Sequence, residues 1–203
     1  HTMDYLYGGL KATEMYLDKY GFLHAGVGKN LAEASAPKYL DFSSGRVALI
    51  AATSTFPDFW VAGEQRPDMI GRPGINPLRY TTDYVVSSEE MKQLKEIADK
   101  INIIAERKLK VKEGFELGEQ ENVFMFGKYR FVIGKKAGVR TKPLKKDMDR
   151  IIKSIKAAKR QADYVIVSIH SHEMRGESKS APANFLEIFS RKCIDEGAHA
   201  VIG

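Results

Sequence analysis

The stretch Tyr164-Val165-Ile166-Val167-Ser168-Ile169-His170-Ser171-His172-Glu173 decides how this chain folds. Its first six residues are apolar almost throughout and do not alternate, which predicts a strand buried on both faces, as in parallel sheets covered by helices. Polar side chains follow at once, so they emerge at the carboxyl end of the strand, where open α/β sheets gather their ligands. Working outward, Arg46 to Thr53 holds a second unbroken apolar run, preceded by an extended segment Lys38 to Phe42, and Ala200 to Ile202 begins a third. Helices are expected between them. Leu144, Met148, Ile151, Ile152, Ile155 and Ala158 recur at helical spacing, and a further helix runs from about Ala183 to Glu196, capped at Gly197. Helix, buried strand, helix, buried strand is the order of an α/β layered fold.

Composition narrows the classes. The 203 residues carry 32 Lys+Arg against 26 Asp+Glu, a net charge of +6, and are 43% hydrophobic, enough for a real core. Cys193 is the single cysteine, which excludes an internal disulfide and a multi-thiolate zinc site. No apolar run reaches the roughly 18–20 residues of a bilayer span. The densest basic cluster, Lys145 to Arg160, lies on the outer face of an amphipathic helix and is read as a solvated face, so no nucleic-acid partner is expected. The chain starts at His1 without a methionine and stops at Gly203 after a short apolar run, and is read as a fragment of a longer protein.

Elsewhere, Leu10, Thr13, Leu17 and Tyr20 predict a first helix ending at Gly21, and Leu31 to Ser35 a short second one. Pro57, Pro67, Pro73 and Pro77 make Ser54 to Arg79 a long irregular loop. Ser87 and Glu90 form a capping box for a helix whose apolar stripe runs from Met91 to Ala105. Val123 to Phe126 and Tyr129 to Ile133 read as a hairpin turning at Gly127-Lys128. The block 81–134 is therefore a helix-plus-hairpin insertion in one domain spanning 1–203.

Two groups of residues could bear chemistry. His170 and His172 are two apart on an extended backbone and share a side, while Glu173 turns onto the following loop. Imidazoles and a carboxylate suit zinc, manganese or iron. The alternative is that one histidine bonds a loop carbonyl and the glutamate is solvated. The second group is Arg72, Asn76 and Arg79, in a proline-stiffened loop: guanidinium forks suit a carboxylate or phosphate, but equally a rigid turn whose arginines pair with nearby acids. His24, His199 and Cys193 are read as structural.

These residues resemble a known family, the bacterial capsule synthesis (poly-gamma-glutamate biosynthesis) CapA proteins of the calcineurin-like metallophosphoesterase superfamily. The likeness lies in His1-Thr2-Met3-Asp4-Tyr5 with Gly8-Gly9-Leu10, in His24-Ala25-Gly26-Val27-Gly28, in Val165 to Glu173 and in Gly197 to Gly203. It implies a calcineurin-like four-layer α-β-β-α sandwich, partial here, and two divalent metal ions (Mn, Zn or Fe) in the intact protein. It further implies that His1 acts on the leaving group, that His170 is a metal ligand, and that Arg72, Asn76, Arg79, His172 and Glu173 serve the substrate. The substrate would be an anion, a phosphoester or polyglutamate. Capsule-synthesis membrane proteins would be partners at the cell envelope. A non-catalytic, polymer-binding role in capsule assembly is the alternative to phosphoester hydrolysis.

Overall fold

The structure, a computed structural model, describes residues 2–118 and 120–203. In chain order the elements are α1 (Leu6–Lys19), β1 (Val27–Gly28), α2 (Leu31–Ser35), β2 (Lys38–Phe42), β3 (Gly45–Thr53), a 3-10 turn (Asp58–Trp60), β4 (Gly74–Ile75) and β5 (Tyr80–Val86). There follow α3 (Ser88–Lys100), α4 (Ala105–Lys112), β6 (Val123–Phe126), β7 (Tyr129–Ile133), β8 (Gly138–Pro143) and α5 (Lys145–Lys159). The chain closes with β9 (Tyr164–His170), β10 (Met174–Arg175), β11 (Ser178–Pro182), α6 (Asn184–Asp195) and β12 (Ala200–Ile202). The fold is mixed α/β. Thr81–Lys142 forms one compact unit and the remainder of the chain another.

The larger unit is built on a sheet of order β12-β9-β3-β2. The β9 strand runs parallel to both β12 and β3, and β2 pairs antiparallel at the edge. Helix α5 packs on β3 and β9, and α6 on β12. The stripe that predicted α5 is the one it buries: Met148, Ile151, Ile152, Ile155 and Ala158 meet Ala48, Ile50, Val165, Val167, Phe185 and Phe189 in one core. Each large side chain enclosed there contributes roughly 1.5–3 kcal/mol.

Burial corrects the two-faced reading of the central strands. Val165, Val167 and Ile169 are buried, but Ile166 and Ser168 are half-buried and Tyr164 and His170 exposed. In β3, Ala48, Ile50 and Ala52 are buried while Val47, Leu49 and Ala51 are half-buried. The helices cover one face, and the period-2 pleat turns every second residue to the other. The first helix also departs from expectation. Of its stripe only Leu10 is buried, packing with Met3 and Ile75, whereas Thr13 and Tyr20 are exposed.

The proline-rich segment is less irregular than its composition suggests. Its β4 pairs antiparallel with β1, opposing Gly28 to Gly74. Both glycines are there for closeness: a Cβ on Gly74 would stand 2.2 Å from the Trp60 carbonyl oxygen, and one on Gly28 2.6 Å from the Ala34 nitrogen. Beneath it lies a buried polar knot. Asp147, fully enclosed, accepts from Arg79 Nε and Nη2 at 2.8 Å each, from the Arg79 backbone N–H at 2.9 Å and from Arg150 Nη1 at 2.6 Å.

In the smaller unit the sheet order is β6-β7-β5-β8. The hairpin forms in the expected register, Val123 opposite Val132 and Phe126 opposite Tyr129. The capping box is present, with Ser87 accepting from the Glu90 N–H and Glu90 from the Ser87 N–H. The expected single helix breaks, however: α3 ends at Lys100 and Asn102 sits at φ +56°, a left-handed conformation asparagine tolerates and a helix does not. The unit also runs past 134 to include β8, which lacks an apolar pattern because only Thr141 is buried. Charge adds to its pairing with β5: buried Asp83 on β5 takes both Arg130 from β7 and, at 3.0 Å, Arg140 from β8. No described helix is long and apolar enough to cross a membrane.

Candidate functional site

Parallel pairing of β3 with β9 sets Thr53 opposite His170, so the residues after each strand end side by side. Ser54 and Thr55 leave β3 there; Ser171, His172 and Glu173 leave β9. They join through the Glu173 carboxylate. Ser54 Oγ donates to Oε2 at 2.6 Å and Ser171 Oγ at 2.7 Å, while Thr55 Oγ1 lies 3.0 Å from Oε1 and 3.1 Å from Oε2. Tyr80, stacked on Phe185 with centroids 4.2 Å apart, brings its hydroxyl to 3.4 Å from Oε1. Burial pushes this carboxyl up, but the hydroxyl donors outweigh it and leave Glu173 below the usual carboxylate range. It is ionised at neutral pH and both its oxygens accept from hydroxyls.

The same corner fixes the histidines. The Ser54 N–H donates to the His170 carbonyl at 3.0 Å, and the His172 N–H to Thr55 Oγ1 at 2.9 Å. The two imidazoles lie edge to face, centroids 4.7 Å apart. Burial, and then the neighbouring His172, pulls the His170 pKa below its ordinary value, which keeps that ring neutral at pH 7. Among the described residues no group of three or more His, Cys, Asp or Glu side chains is placed to hold a metal ion. Two imidazoles and one carboxylate that accepts from hydroxyls are fewer ligands than a two-cation centre needs.

The other expected site residues fall elsewhere. His1 lies outside the described residues. Arg79 is locked to Asp147 through both Nε and Nη2. Asn76 is fully buried: its Nδ2 donates to the Ala51 carbonyl at 2.8 Å and its Oδ1 accepts from Ser35 and Arg150. Arg72 is exposed, its Nε and Nη2 bound to the Val61 carbonyl at 3.0 and 2.9 Å. Of the two open readings of this loop, the rigid turn with paired arginines describes Arg79. His199 Nδ1 accepts the Val165 N–H at 2.9 Å, and His24 Nε2 lies 3.2 Å from Asp18. Cys193 is buried, which pushes its thiol up to about 12 and leaves it inert.

Beside the histidine pair opens a cavity of about 170 Å³, whose walls include Thr2, Gly26, Thr53, Trp60, Ser168 and His170. Sequence reading missed Ser54, Thr55, Ser171, Tyr80 and Trp60. For the first two a signal existed: they stand directly after an apolar run of the same kind as β9, and parallel neighbours end together.

A layered α/β unit with polar side chains gathered at the carboxyl ends of two adjacent parallel strands defines an α/β protein with a ligand-type corner. The sequence model described as bacterial capsule synthesis protein PGA_cap matches residues 1–203, and the chain belongs to that family. Two curated proteins of Sinorhizobium fredii (strain NBRC 101917 / NGR234), the uncharacterized proteins y4sH and y4uA, are each 31% identical over 204 residues, covering all of this chain and 42% of their own length. The chain thus spans less than half of the curated relatives it matches.

Proposed function

We propose that this chain serves capsule synthesis by holding an anionic group, a phosphoester or the carboxylates of polyglutamate, at the carboxyl ends of β3 and β9. The observation behind this is the state of Glu173. Four hydroxyls hydrogen-bond its half-buried carboxylate, so their protons face inward and the exposed His170 and His172 rings are what a ligand arriving at this corner would meet first. Glu173 acts as a brace: it ties the end of β3 to the end of β9 and sets where His170 and His172 stand. A polymer anion would meet the two rings and the hydroxyl-lined cavity beside them. The test is binding of poly-gamma-glutamate to the full-length protein at fixed ionic strength. Exchanging both His170 and His172 for alanine should weaken it about tenfold or more, about 1.4 kcal/mol or more. Undiminished binding by a folded double variant removes the corner from the function.

A second reading, divalent-metal-dependent phosphoester hydrolysis, is favoured by one observation: paired imidazoles, one of them kept neutral by burial, are good ligands for Mn, Zn or Fe. It requires ligands beyond those the described residues bring together. Hydrolysis of an aryl phosphate by the full-length protein, stimulated by manganese or zinc and abolished by His170→Ala, would establish it. Hydrolysis that persists in that variant would exclude His170 from such a centre.

A further inference from the structure

The hairpin that follows Glu173 carries a cation with nothing to pair with. Lys179 on β11 is exposed, and among the described residues its ammonium has no ion-pair or hydrogen-bond partner. Its surroundings are tied down. Arg175 on β10 pairs with Glu187 of α6 at 2.9 Å, Met174 stands opposite Pro182, and the Ala183 N–H donates to the Glu173 carbonyl at 3.3 Å. The hairpin's frame is thus set by α6 and by the corner, while the Lys179 ammonium rides on a flexible four-carbon stem.

Two cavities have this side chain on their walls. One, of about 280 Å³, opens at the carboxyl ends of β9 and β12, with Ser171, Glu173, Lys179, Leu186 and Ser190 among its lining. The other, of about 500 Å³, is lined by Ser171, His172, Glu173, Met174 and Lys179. Among the described residues Lys179 is the only lysine or arginine on either wall. Glu173 borders both cavities, and an acid on the wall repels an anion unless a cation stands within reach. A free ammonium is the group that meets this need. The denser basic cluster on α5 is already spent on acids: Lys145 pairs with Asp149, Lys146 with Glu64, Arg150 with Asp147 and Lys156 with Glu196.

We propose that the hairpin side of the corner is a groove for an anionic polymer, in which the Lys179 ammonium binds one oxyanion, a carboxylate or a phosphoryl group, on the wall it shares with His172. The inference rests on the reading of the corner as an anion site and adds the group that supplies its positive charge.

The experiment titrates poly-gamma-glutamate and inorganic polyphosphate separately into full-length protein by calorimetry, each at two salt concentrations. Lys179→Met keeps the stem and removes the charge. It should weaken binding about fivefold and make the remainder less sensitive to salt, whereas Lys179→Arg should bind as the wild type does. The probe that loses affinity names the group: a carboxylate for the first, a phosphoryl for the second. Lys153→Met, which removes an exposed cation of the α5 cluster, is the control and should change nothing. Unchanged affinity in Lys179→Met, or an equal loss in Lys179→Arg, overturns the proposal. An equal loss in Lys153→Met also overturns it, since the polymer would then answer to net charge alone. Affinity lost on exchanging His170 and His172 for alanine but kept in Lys179→Met would remove the groove and leave the corner reading standing; the reverse would keep Lys179 and count against the histidine corner. A wild type that binds neither probe overturns both.

Discussion

Ser54 Oγ lies 2.6 Å from Glu173 Oε2, across 119 residues of sequence, and this contact joins the ends of two parallel strands. With the Ser54 N–H on the His170 carbonyl, it makes the corner a closed unit in which the last turn of neither strand can move alone. Glu173→Ala should therefore cost about 2 kcal/mol, the range of hydrogen bonds to a charged group. It should also broaden the His170 and His172 ring signals in NMR. Urea unfolding at pH 7 measures the first; a loss below 0.5 kcal/mol would mean that the hydroxyls find other partners.

The same carboxylate gives a pH dependence with a definite sign. Its folded pKa is below the unfolded value, so the stabilisation is present above the unfolded pKa, roughly 4.3, and is lost as pH falls through the lower folded value. Asp147 acts alike. Burial raises its pKa, and the hydrogen bonds from Arg79 and Arg150 more than reverse this. Wild-type stability should accordingly fall as the pH drops below about 4, the unfolded carboxylate range, and Glu173→Gln should flatten part of that fall. An unchanged slope in the variant would place the lost protons elsewhere.

Asp147→Asn tests the buried knot directly. It leaves Arg79 and Arg150 facing an amide, and removing one partner of a buried pair costs about 3–5 kcal/mol; Arg79 reaches solvent, so the lower end is expected. Calorimetric melting reads it. The substitution should leave anion binding at the histidine corner unchanged in protein that remains folded. A large loss of binding there would instead put Arg79 or Asn76 back among the ligand-binding residues.

These contrasts show what the sequence could and could not disclose. Periodicity revealed α5, α6 and the hairpin, because their apolar residues face a core built from local pattern. It also placed His170, His172 and Glu173 at a strand end. It could not say that Arg79 belongs to Asp147, 68 residues on, or that Asp83 gathers Arg130 and Arg140, because charge pairs across sheets follow tertiary register and leave no period. The two-faced burial expected of β9 failed for a related reason: an apolar residue states a preference for burial, and only the packed layers decide which face receives it. Trp60 was silent, since one tryptophan in a proline-rich loop has no pattern to break.

Gly74→Ala offers the sharpest test of the loop that carries Trp60. The added methyl would stand 2.2 Å from the Trp60 carbonyl and 2.7 Å from the Ala62 nitrogen, both backbone atoms, so no side-chain rotation can relieve it. The β1–β4 pairing, or the path of 60–62, must give way, at about 1–3 kcal/mol by the usual cost of overpacking. Trp60 then shifts with its own backbone. The expected result is a lower melting temperature together with changed fluorescence from Trp60, while α5 and its core stay protected in hydrogen exchange. Gly8→Ala, with open space around its Cβ, is the control and should leave both signals as they are. If Gly74→Ala behaves like that control, the close approach between β4 and the Trp60 segment does not hold in solution, and the cavity wall formed by that segment falls with it.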